Sequence, residues 1–281
     1  MKLLKQIFFL SVAIFLATSV NAQLKTPPAS SFQSVKQSFA LSEINLEYSR
    51  PNAKNRKVFG ALVPYDKVWR TGANNSTTLT FGEDVKINGQ NLAAGTYALL
   101  SIPGKDSWQI LFNTDTKLGG NVAAYDNAKE VLRVNVKPQT TAYSTETFTI
   151  NFSNVNAASV DLDILWENTL VKLNITADID GKIMTSIDEA MKGDKPPYFQ
   201  AASYYFENGK DLKKALEWIT KAEEQMPNAF WVAAQKARIQ LKLNDKKGAA
   251  VTAQKVIDSA RKANSNDYVV IGTDLLNQTK K

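Results

Sequence analysis

Two absences limit the chemistry first: the 281 residues contain no Cys and no His. A Ser-His-Asp triad, a thiolate nucleophile, thiolate or imidazole zinc sites and histidine-ligated haem are thereby excluded. Carboxylates, lysine, tyrosine, hydroxyls and all-oxygen metal sites remain. The densest polar loop region holds Arg50, Lys54, Arg56, Lys57, Asp66, Arg70, Asn74 and Asn75. Arg70 lies between Trp69 and Thr71, where its planar fork could anchor a carboxylate, a phosphate or a sugar acid, with Trp69 as a stacking face. The plainer reading makes Trp69 core and pins Arg70 to Asp66 or to a loop carbonyl. Asp66, Arg56, Trp69, Arg70, Asn74 and Asn75 are the ligand-binding candidates.

Glycosidase-type chemistry needs two carboxylates about 5–10 Å apart across a cleft. Asp66, Glu83, Asp84, Asp126 and Glu130 are available, but nothing in their spacing pairs them, and Glu83-Asp84 falls in a turn. An oxygen-only calcium site is conceivable at Asp161/Asp163 or Asp178/Asp180, yet Asp178-Ile179-Asp180-Gly181 lacks the closing Glu of a calcium loop. No catalytic residue, metal or cofactor is expected.

The elements that must position these residues fall into two kinds. Up to Thr176 the pattern is strand after strand. Ile44, Leu46 and Tyr48 share one face, as do Phe148, Ile150 and Phe152, and Val160, Leu162, Ile164 and Trp166. Asn88-Gly89 marks a two-residue hairpin turn, Pro103-Gly104 a second turn, and Glu167-Asn168 a third. Half-buried strands at this spacing predict an antiparallel β-sandwich or jelly-roll-like domain over 35–179. Beyond Asp180-Gly181 the period becomes helical, with helices expected at Ile183–Met191, Pro197–Glu207, Leu212–Glu224, Phe230–Leu243, Lys247–Lys262 and Asp267–Gln278.

The helical region, 182–281, carries a recurrence: Asp211-Leu-Lys-Lys-Ala215 returns as Asp245-Lys-Lys-Gly-Ala249, 34 residues on. With Phe199, Ser203, Phe206, Ala215, Ile219 and Ala222, then Ala237, Ala249 and Ala253, it resembles the tetratricopeptide repeat. That resemblance implies a groove facing Gln200, Tyr204, Gln235, Arg238 and Lys242, suited to an extended acidic peptide. The alternative is a groove filled by the chain itself.

The first residues read as an export signal. Lys2 and Lys5 precede an apolar run from Ile7 to Ala17 and a small-x-small end at Val20-Asn21-Ala22. The run is too short for a bilayer, which needs roughly 20 residues. Cleavage is expected after Ala22, with an extended leader over 23–34 and no transmembrane segment in the mature chain. Of the net charge of +7, two units belong to the signal. The rest lies beyond Lys182 without forming a stripe dense enough for nucleic acid.

One further pattern runs through Ser49-Arg50-Pro51, Lys57-Val-Phe-Gly60, Leu62-Val-Pro-Tyr65, Val68-Trp-Arg-Thr-Gly-Ala-Asn74, Ala94-Gly-Thr-Tyr97 and Ile102-Pro-Gly104 with Trp108. It continues in Ala124-Tyr-Asp126 and Val131-Leu-Arg-Val134. In these residues the chain resembles the DUF2911 family over roughly 34–176. The resemblance implies an exported bacterial β-domain, often with a helical repeat extension. Where that pattern often has an acidic residue after Asn74, this chain has Asn75. The sequence thus leads to an exported, non-catalytic binding or assembly protein of the cell envelope, making contact with a protein or peptide through its helices. The alternative is an enzyme or small-ligand (glycan) binder using the Arg50–Asn75 loops.

Overall fold

The computed structural model describes residues 26–120 and 122–280. The export signal and its cleavage site lie outside the described residues. The chain divides into two compact units at Asp178/Ile179, and each is described by itself.

The first unit is built from ten strands: β1 Ser31–Phe39, β2 Ser42–Arg50, β3 Thr77–Phe81, β4 Val85–Ile87, β5 Gln90–Leu92, β6 Gly95–Ile102, β7 Trp108–Asn113, β8 Glu130–Val136, β9 Gln139–Ser153 and β10 Ser159–Thr176. They form two antiparallel sheets, ordered β1-β2-β3-β6-β7-β8 and β5-β4-β10-β9. The Asn88-Gly89 turn has φ of 48° and 83°, the left-handed conformation that a tight hairpin requires, and it joins β4 to β5.

The expected leader through Ser34 gives way to strand at Ser31. This segment, SFQSVKQSF, is an edge strand exposed along most of its length. Its inner face is half-buried at Gln33, Val35 and Gln37 and buried only at Phe39, so the face is largely polar, yet it pairs with β2 from Ser31↔Arg50 to Phe39↔Ser42. The Glu167-Asn168 turn lies inside the single run of β10, where Glu167 has φ 47° and the register with β9 shifts. The chain doubles back there. Ala177 donates its N–H to the Ala158 carbonyl (3.0 Å), and Lys172 reaches Asp161, eleven residues earlier. A straight strand would hold those two roughly 36 Å apart.

The sheets meet through aromatic side chains. Tyr48 of β2 meets Phe148 of β9 edge-on and donates its hydroxyl to the Ile150 carbonyl at 3.0 Å. Trp108 and Trp166 are fully buried with Phe81, Phe112 and Phe148. A second, smaller apolar cluster of Leu100, Leu111 and Leu118 lies on the other face of the larger sheet, under the loop that follows β7.

The second unit has six helices: α1 Asp180–Ala190, α2 Tyr198–Glu207, α3 Leu212–Gln225, α4 Phe230–Lys242, α5 Lys246–Lys262 and α6 Asn266–Gln278. The recurring Asp explains its own recurrence. Asp211 accepts the N–H groups of Lys213 and Lys214, and Asp245 accepts that of Gly248, so each caps a helix. Ala202, Ala215, Ala222, Ala237, Ala249 and Ala253 are fully buried, which lets neighbouring helices approach closely. Glu223 ties three helices together through Lys236 and Lys255, each at 2.7 Å. Burial alone would raise this carboxyl, but the two ammonium groups hold it below the usual range.

Candidate functional site

The loop from Trp69 to Thr77 is fixed at many points. Trp69 exchanges backbone hydrogen bonds with Ser101 of β6 (2.7 and 2.9 Å). Its indole Nε1 donates to the Gly72 carbonyl at 3.1 Å. The Thr71 hydroxyl meets that of Ser101 at 2.9 Å, and Thr77 donates its hydroxyl to the Thr71 carbonyl at 2.6 Å. Thr71 is 0% exposed and has φ 55°, a left-handed conformation that a β-branched residue adopts at a cost of about 1–3 kcal/mol. Gly72 follows with φ 154°, and a Cβ there would come within 3.0 Å of the Ser49 carbonyl oxygen and 3.1 Å of the Thr77 hydroxyl. Gly72→Ala is expected to destabilise the first unit by about 2 kcal/mol, read from the urea midpoint; an unchanged midpoint would show that the loop can shift.

This fixed loop forms one wall of a cavity of about 400 Å³, lined also by Asn52, Lys54, Arg56, Arg70 and Trp166. Trp69 stacks on Trp166 (centroids 5.9 Å, planes 19° apart) and meets Phe148 edge-on at 5.2 Å. Trp69 is thus partly core and partly cavity wall. Arg70 is held by a loop carbonyl, donating Nη1 to Gly120 O at 2.9 Å. Its Nε–H is buried without a hydrogen-bond partner. Arg56 donates Nε to Ala53 O (2.9 Å) and Nη2 to Asn52 O (2.8 Å). Among the described residues no acidic residue lines the cavity and no ion pair joins the side chains of Lys54, Arg56 or Arg70 to a carboxylate, although the Glu146 carboxylate accepts the Lys54 backbone N–H at 2.7 Å.

The remaining loop candidates lie elsewhere. Asp66 is exposed with φ 56° and holds the Pro103 carbonyl through its own N–H, so it is not the partner of Arg70. The Asn74 amide donates to Ser49 Oγ (3.2 Å) and Ser30 O (3.4 Å), and Asn75 lines a neighbouring hollow. Trp166 and Asn52 are cavity residues that the sequence did not single out. Trp166 read as one more inward position of an alternating strand, and only the fold brings it beside Trp69.

The carboxylates considered for catalysis are dispersed. Glu83 and Asp84 accept the N–H groups of Leu41 and Ala94, Asp126 caps a 3-10 turn, and Glu130 is clasped by both arms of Arg133 (2.7 Å each). At Asp161 and Asp163 the position a cation would take holds the Lys172 ammonium, 3.1 and 2.8 Å from the two carboxylates. Among the described residues no group of three or more acidic, His or Cys side chains could hold a metal ion.

In the second unit the five expected groove residues separate. Arg238 and Lys242 line a hollow of about 680 Å³ with Phe206, Leu241, Val270 and Ile271. Tyr204 instead donates to Asp180 at 2.7 Å, and burial with that carboxylate pushes its phenol up to about 12. Gln235 is 6% exposed, turned into the helix core with its oxygen accepting from Arg238 at 3.2 Å. Gln200 is exposed on α2 but lines no part of the hollow.

Among known families, the one described as "Protein of unknown function (DUF2911)" matches residues 30–175. No curated protein and no solved structure matches.

Proposed function

We propose, for a chain that belongs to the DUF2911 family, an exported, non-catalytic binding protein whose first unit holds a small anion against Trp69 and Arg70. The observation that carries this reading is a cavity lined by three cationic side chains, Lys54, Arg56 and Arg70, and, among the described residues, by no acidic one. An anion there would make charge-assisted bonds with these cations. The volume of about 400 Å³ is at the small end of ligand sites and suits a single sugar-sized group. Acid–base chemistry gets no support, because Asp66, Glu83, Asp84, Asp126 and Glu130 all lie away from this cavity.

The first unit is read as a β-sandwich of jelly-roll-like type, from its two antiparallel sheets joined by an aromatic core. The second is read as tetratricopeptide-like, from the capped recurrence and the small residues at helix crossings. Export rests on the residues 1–22. The test is calorimetric titration of the chain from Gln23 with glucuronic acid, inorganic phosphate and sulfate. At least one should bind, and Arg70→Ala should weaken it about tenfold or more. Failure of all three to bind would defeat the proposal.

A second reading concerns the second unit. Arg238 and Lys242, one turn apart on α4, stand over Leu241 and a 69% exposed Val270, and among the described residues neither pairs with an acid. Asp274 lines the same hollow, bonded to Gln278, and Arg238 also donates to Gln235; two cations without acidic partners over an apolar floor fit an acidic peptide or protein segment.

A further inference from the structure

Beside the cationic cavity lies a second hollow of about 500 Å³, and three chain segments line both. Ser30 lines the cavity and Phe32 the second hollow; Pro51 and Ser49 divide in the same way, as do Ala73 and Asn75. Each segment crosses from one to the other in two residues, so the two spaces lie on either side of one thin wall. The Asn74 amide binds that wall together through Ser30 O and Ser49 Oγ.

The two spaces differ in chemistry. The cavity has Lys54, Arg56 and Arg70 and no acid; the second hollow has one acid, Glu47, and one base, Lys117. Its surface is otherwise rich in hydroxyls, with Thr78, Thr96 and Thr116 below and an aromatic side, Phe32, that is 65% exposed. A neutral sugar needs this mixture: hydroxyl, amide and carboxylate groups for its own hydroxyls, and an aromatic surface for its C–H face. A peptide strand would need free backbone groups, but β2, β3 and β6, which underlie the hollow, are interior strands with both edges paired.

We propose that the ligand is an acidic oligosaccharide. Its acid-bearing unit enters the Arg70 cavity, its neutral neighbour lies in the hydroxyl-lined hollow, and the linkage between them crosses the wall at Asn74. This rests on the anion-binding reading above and names the ligand class.

The experiment titrates the chain from Gln23 with glucuronic acid, a set of aldobiouronic acids differing in their neutral hexose, cellobiose, and an aspartyl dipeptide. At least one aldobiouronic acid should bind about tenfold more tightly than glucuronic acid. Phe32→Ala, a change at an exposed position, should remove that advantage and leave glucuronic acid binding intact. Arg70→Ala should weaken both. If glucuronic acid binds but no disaccharide improves on it, the extended site is wrong and the anion reading stands. If neither it nor any acidic disaccharide binds, the acidic-oligosaccharide ligand is wrong, and the anion reading then stands or falls with phosphate and sulfate. Cellobiose binding as tightly as the best acidic disaccharide would overturn the coupling of the two hollows. The dipeptide doing so would overturn the sugar class.

Discussion

Replacing Trp166 with alanine is expected to destabilise the first unit by about 4 kcal/mol, the range for removing a large aromatic from a packed interior. Trp166 is 2% exposed. It stacks on Trp69, meets Phe148 at 5.4 Å and Phe59 at 6.3 Å, and donates Nε1 to the Glu146 carbonyl at 3.0 Å. The change removes a stacking partner, opens a void and takes away one of two donors to the Glu146 carbonyl, which keeps the Ala53 N–H at 2.9 Å. Trp166→Phe keeps an aromatic ring but not the donor, so it should cost clearly less, about 1–2 kcal/mol. Urea unfolding of both variants separates packing from hydrogen bonding. A Trp166→Ala protein within about 1 kcal/mol of wild type would mean that neighbouring rings close the gap.

Lys172→Met should cost about 3 kcal/mol near neutral pH, because it leaves Asp161 and Asp163 largely buried without their shared counter-charge. The pH dependence is the sharper test. Burial by itself would raise the Asp161 carboxyl, but hydrogen bonds from Asn174, Asn154 and Lys172 hold it below the usual range. Burial would lower the Lys172 ammonium, and its bonds to Asp163 and Asp161 hold it above the usual range. For the carboxylate, the stabilisation is full above the unfolded value of about 3.9 and is lost as pH falls through the lower folded value. For the ammonium, it is full below about 10.4 and is lost as pH rises through the higher folded value. Without the Lys172 bond the Asp161 carboxylate takes up a proton more readily, so lowering the pH toward about 4 should narrow the gap between variant and wild type. A gap independent of pH would mean that the lysine acts through packing of its stem alone.

The ease of reading each element from sequence follows from where its determining forces lie. Helices α3 and α5 begin where they should because Asp211 and Asp245 satisfy N–H groups two and three residues away, which is local information. Phe148, Ile150 and Phe152 point inward as their alternation implied, since a one-sided burial imposes that period. Strand β1 carries a weaker imprint because its half-buried face is largely polar, with Gln33 and Gln37 on either side of Val35. Gln235 was misplaced for the converse reason: a polar side chain was assigned to the groove, but its helix position turns it inward. At the candidate site, Trp69 and Arg70 were identifiable from their types and neighbours. The cavity itself was not, because Trp166, which lines it, and the Gly120 carbonyl, which holds Arg70, come from distant parts of the chain.

The cavity has a consequence for how this protein comes into being. Its walls are joined by contacts between residues far apart in the chain: Tyr48 to Ile150 spans 102 positions and Arg50 to Phe148 spans 98. Long loops must close before such contacts contribute, so the cavity belongs to the slow, late part of folding. A chain emerging from the ribosome can have β1 to β8 complete and still have no cavity, because Trp166 has yet to be added. The cavity is a property of the finished fold, absent from every shorter piece that ends before β10.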